Sequence, residues 1–76
     1  MKHQAISAKT MNSNNAYTDS LQTVDHLVTC ITLDNGSVKR GVFVYRSSDP
    51  LSAIQDINRM SPEEFGQKCS IFDWIE

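Results

Sequence analysis

Val24–Leu33, VDHLVTCITL, runs into Asp34-Asn35-Gly36-Ser37 and returns as Val38–Arg46, VKRGVFVYR. Both flanks are rich in β-branched residues, and the second adds Phe43 and Tyr45. Asn-Gly suits a two-residue type I′ turn because both central positions need positive φ, which Asn and Gly tolerate. With Asn35-Gly36 as the loop, Leu33 faces Val38, Ile31 faces Arg40, Thr29 faces Val42 and Leu27 faces Val44. The opposite face then carries Val28 against Phe43, Cys30 against Gly41 and His26 against Tyr45. A three-residue loop would slip the register by one and mix the two sets. The two-residue reading keeps the aliphatics together and sets Asp25 against Arg46, a favourable cross-strand pair.

Downstream, Ser47-Ser48-Asp49-Pro50 is a helix start: Asp49 can cap the first amides, and Pro50 has the right φ and no amide to satisfy. Leu51, Ala53, Ile54, Ile57 and Met60 fall on one side of the predicted helix, with Gln55, Asp56 and Arg59 outside. Ser61-Pro62-Glu63-Glu64 repeats the signal as a capping box and predicts a second short helical turn through Phe65, ended by Gly66. Lys68–Glu76, KCSIFDWIE, alternates and reads as a third strand, with Cys69, Ile71 and Ile75 one way and Ser70, Phe72 and Trp74 the other.

Upstream, Met1–Ser20 holds Lys, Gln, Ser, Thr and three asparagines, with Ile6, Met11 and Tyr17 at no useful period. Such a stretch buries too little to offset its ordering entropy, so residues 1–20 read as a flexible arm and 21–76 as one small domain. The expected architecture is α+β: a three-stranded antiparallel sheet, hairpin plus C-terminal strand, packed on one main helix in the order ββα(α)β. One helix shields one side of a sheet. The aliphatic set is the expected core side, which would leave Phe43 and Tyr45 uncovered.

The whole chain has 76 residues, 39% hydrophobic and 21% charged, with net charge −2. Length confines it to one domain with a marginal core. Residues 1–46 carry five cations against three acids, net +2, and residues 47–76 carry two against six, net −4. No basic cluster stands out of the kind that drives phosphate binding. No apolar run approaches the roughly 20 residues of a membrane span, and Lys2-His3-Gln4 does not open a signal peptide. The expected compartment is the cytoplasm, where Cys30 and Cys69 would be free thiols; 39 positions apart, they lack metal or redox spacing.

Catalytic constellations are missing from the pattern. His26 and Cys30 share a strand face but lie about 13 Å apart at 3.3 Å per residue, too far for a nucleophile–base pair. Glu63-Glu64 opens a helix, where carboxylates complement the dipole. Asp34-Asn35-Gly36 lacks the ligand series of a calcium loop, and three glycines, at 36, 41 and 66, build no phosphate cradle. No cofactor or metal is expected.

Protein recognition remains. Phe43, Tyr45, Phe72 and Trp74, rimmed by Asp73 and Glu76, have the aromatic-and-charge composition of an interaction hot spot. The expected function is a non-enzymatic protein-binding module covering a basic surface of a larger protein, with self-pairing through an edge strand as a second route. In size, acidity and want of catalytic residues the chain resembles the small accessory inhibitors of phages and mobile elements, which implies an inhibitory role. The alternative is a small nucleic-acid-binding regulatory domain using Lys39, Arg40 and Arg46 with sheet aromatics for stacking.

Overall fold

Asn35 and Gly36 adopt φ of 52° and 81°, the left-handed pair a type I′ turn requires. The computed structural model of the chain describes residues 2–11 and 23–75. Strands β2 (Val24–Asp34) and β3 (Ser37–Ser47) pair in the two-residue-loop register, with Leu33 opposite Val38, Leu27 opposite Val44 and Asp25 opposite Arg46. The last pair closes as an ion pair of 3.2 Å.

Two helices follow. In α1 (Pro50–Arg59) the Asp49 carboxylate accepts from the Ser52 amide at 2.7 Å, a bond that holds the Asp49 carboxyl below its ordinary range. In α2 (Pro62–Lys68) the Ser61 hydroxyl oxygen accepts from the Glu64 amide at 3.2 Å. The Glu64 side chain pairs forward with Lys68, one turn on. Gly66 does not end α2: it lies inside the helix, which runs on to Lys68. Of the expected apolar stripe, Ala53 and Ile57 are buried and Ile54 and Met60 pack at the margin, whereas Leu51 stands 64% exposed.

The sheet has four strands in the order β1-β2-β3-β4, all antiparallel, instead of the expected three, and two helices stand beside it. The added strand is β1 (Lys2–Thr10), which corrects the arm reading for those residues; positions 12–20 of that arm lie outside the described residues. Three contacts hold β1 where its own hydrophobicity could not. The Ala5 amide donates to Asn58 Oδ1 at 2.8 Å beside a bulge at Ile6. His3 Nε2 donates to the Ile57 carbonyl at 2.8 Å, and the His3 ring stacks on Phe65 at 4.2 Å. Ala5 and Ala8 are small enough to let α1 lie close.

Strand β4 (Ser70–Trp74) completes the sheet beside β3. A register shift at Phe72 breaks the simple alternation expected of it: Trp74 pairs with Gly41 and Ile71 with Phe43, on one side, while Asp73 pairs with Val42 on the other.

The helices pack on the opposite side of the hairpin from the one expected. The core is Ala5, Val28, Cys30, Phe43, Ala53, Ile57, Phe65 and Cys69, with Tyr45 packed against it. His26 lies sealed in the same layer. The physical reason is charge. The aliphatic face also carries Asp25, Arg40 and Arg46, whose burial would cost more than its aliphatics return, whereas His26, Val28, Cys30, Gly41 and Phe43 bring no obligatory charge and Lys39 of the same face stays exposed near the turn.

Candidate functional site

Burial of the helix-side face takes two of the expected anchors out of solvent and leaves the opposite face of the sheet uncovered. Phe43 is 6% exposed, its ring 4.8 Å from Phe65 and edge-on to Trp74 at 5.7 Å. It is a core residue. Tyr45 is half-buried and donates its hydroxyl to Asp56 at 3.1 Å; burial first, then Asp56, raises its pKa. Neither ring is available as a free anchor. Trp74 lies on the helix side at the sheet edge, half-exposed, with the Lys39 ammonium 5.4 Å from its ring centre. Phe72 is 57% exposed, and Glu76 lies outside the described residues.

The uncovered face is built from the other side of the same strands. Along β2 and β3 the positions between the buried ones are Leu27, Thr29, Ile31 and Leu33 against Val44, Val42, Arg40 and Val38. Leu33 and Val38 are exposed and the rest of the aliphatics half-exposed. At one end Thr29 and Val42 floor an open groove of about 540 Å³, walled by Ser7 and Lys9 from β1 and by Phe72 and Asp73 from β4. At the hairpin end, Ile31, Leu33 and Val38 continue the apolar surface beside Lys2 and Gln4. The bulge that separates Phe72 from Trp74 is what brings Phe72 to this groove.

The cations named for nucleic-acid contact do not form one patch. Lys39 serves the Trp74 ring. Arg46 is engaged by Asp25, and Arg40 lies on the uncovered face opposite Ile31.

The buried thiols and the buried imidazole offer no catalytic pairing among the described residues. The Cys30 thiol is pushed up to about 12 by burial, and Cys69 to about 11 for the same reason. Both stay protonated at neutral pH and so are poor nucleophiles. Cys30 directs its weak donor to the Val28 carbonyl at 3.8 Å, not to an imidazole. His26 is sealed with neither ring nitrogen partnered. Among the described residues, no three His, Cys, Asp or Glu side chains gather as a metal set, and no helix is long and apolar enough to cross a membrane. Sequence reasoning missed Leu27, Val42 and Val44 as surface residues. The three charges sharing their face were the available signal.

No protein-family model, curated protein or solved structure matches this chain.

Proposed function

We propose that the chain is a non-enzymatic protein-binding module that docks through the uncovered face of its sheet. One observation carries this reading: apolar residues run from Leu33 and Val38 through Ile31 and Val42 to Leu27, Val44 and Phe72 on the side away from both helices. Antiparallel sheets tolerate one solvated face, but that face is ordinarily polar, and a contiguous apolar patch on a small protein marks an interaction surface. An inhibitory role remains consistent with so small a module. A uniformly basic surface, as net charge suggested, would meet Lys9, Arg40 and Arg46 on this face, so the partner it fits offers an apolar patch instead.

The test is affinity capture from native lysate with the full chain, comparing wild type with Val42→Glu and Phe72→Glu, and with Gln55→Glu on the exposed side of α1 as control. Loss of bound protein, a second copy of the chain included, in the two face variants alone supports the reading, provided circular dichroism shows the fold intact. Equal capture by all four proteins overturns it. So does binding of single-stranded oligonucleotide at 50 mM salt that falls with added salt and weakens in Lys39→Ala, which is the nucleic-acid outcome.

A further inference from the structure

We infer that the occupant of the uncovered face is a second copy of the same chain, stacked sheet to sheet about a two-fold axis parallel to the strands. The inference rests on the docking role proposed for that face. The charge pattern selects both occupant and axis. The β1 edge of the face bears Lys2 and Lys9, and the β4 edge bears Asp73. Between them Asp25 and Arg46 neutralise each other, and Arg40 sits among the aliphatics opposite Ile31.

A two-fold axis running along the β2–β3 seam lays β1 of one copy over β4 of the other, so Lys9 meets the second copy's Asp73 twice. Their rows are two residues apart, since Lys9 pairs with Leu27, which pairs with Val44, and Asp73 pairs with Val42. That is about 7 Å along the strand, within a lysine's reach. An axis across the strands would instead stack β1 on β1 and set cation on cation. The chosen axis also sets apolar on apolar: Leu27 lies over the second copy's Val44, and Leu33 over its Val38. Arg40 lies over Ile31, where its stem can pack and its head reach water.

The size is adequate. Strands of nine and eleven residues, at about 3.3 Å per residue and 4.8 Å apart, give a face about 30 Å by 14 Å before β4 adds its strip. Two such faces remove on the order of 1,000 Å² from water, about the lower limit for a specific interface. Stacked sheets with this sense of packing form the two layers of a β-sandwich, about 10 Å apart. The helices of the two copies would face outward.

Sedimentation velocity of the full chain from about 1 µM to 1 mM, a range that brackets interfaces of this size, tests the inference. The expected result is a reversible monomer–dimer equilibrium. Lys9→Glu and Asp73→Lys should each weaken it on the order of tenfold at low salt, and the double variant should restore it. Val42→Glu should be monomeric throughout. A dimer that persists in Val42→Glu overturns the inference in favour of edge-strand pairing, and charge variants that do not compensate each other overturn the assigned axis. A monomer at every concentration also overturns it. In that last case the capture experiment separates the two ideas: face-dependent binding of another protein leaves the docking role standing, and its absence removes both.

Discussion

Phe43 and Phe72 are the same residue type on neighbouring strands, and they meet opposite fates. Phe43 sits among Phe65, Val28 and Cys30 beneath the helices, while Phe72 projects from a bulge onto the bare side of the sheet. The two sides differ less in apolar content than in what accompanies it. On the helix side the apolar residues share their layer with Gly41, Ala5 and Ala8, which are small, and with His26, while Lys39 stays exposed near the turn beside Trp74. On the bare side they share it with Asp25, Arg40, Arg46, Lys9 and Asp73. A helix can settle only where no charge must be stripped of water, so the fewer aliphatics won. The losing side keeps its apolar residues partly or largely exposed.

The sharpest way to break this comparison is to truncate both rings. Phe43→Ala should cost about 3–5 kcal/mol in urea unfolding, since it removes a buried ring from a small core. Stability of that order is much of what a domain this size has, so the variant should be largely unfolded at 37 °C. Phe72→Ala should cost less than about 1 kcal/mol, as its ring is mostly in water. Similar losses at both positions would mean that Phe72 is covered within the monomer and the bare side is not bare.

How much of this was legible before folding depends on whether the signal was local. The hairpin register follows from Asn35-Gly36 and from the Asp25–Arg46 pair, both readable along the chain, and the starts of α1 and α2 follow from Asp49-Pro50 and Ser61-Pro62. β1 was not readable. Its inward residues are His3, Ala5 and Ala8, with a bulge at Ile6 between them, so period-two hydrophobicity is absent. What holds it is Asn58 and the Ile57 carbonyl, more than fifty positions away. The side the helices cover is legible only when the charges Asp25, Arg40 and Arg46 are weighed ahead of the aliphatics that share their face. Simple alternation puts Phe72 and Trp74 on one face because it cannot foresee the bulge between the Val42 and Phe43 pairings.

A middle-sized effect tests whether charge, rather than polarity in general, excludes residues from the helix side. His26 is sealed with both nitrogens unpartnered, a placement that costs roughly 1–3 kcal/mol for an unsatisfied buried polar group. His26→Leu keeps about the same volume and removes that penalty, so it should raise the urea midpoint, with a gain of about 1 kcal/mol. Most core substitutions go the other way. A loss of 1 kcal/mol or more would show that the imidazole is hydrogen-bonded inside the fold, and that the helix side accommodates polarity by satisfying it.

A last effect, no larger than that of His26→Leu, belongs to the edge where the helix side opens toward solvent. A Cβ on Gly41 would lie 2.8 Å from Trp74 Cε3, 2.9 Å from Cζ3 and 3.2 Å from Ile71 Cδ1. In a closed core such overlap costs 1–3 kcal/mol. Here the indole is half-exposed on an edge strand and can swing outward, which places Gly41→Ala at about 1 kcal/mol, the low end of that range. Trp74 is the one tryptophan, so its emission reports the motion directly: it should shift to the red and become more accessible to acrylamide, as the ring leaves Phe43 and Lys39. Val42→Ala, one residue along on the bare side, should leave the emission unmoved. If Gly41→Ala instead unfolds the protein, the indole is fixed in place as part of the core. The helix layer would then seal its side out to β4, leaving the opposite face as the place where the sheet can still accept a partner.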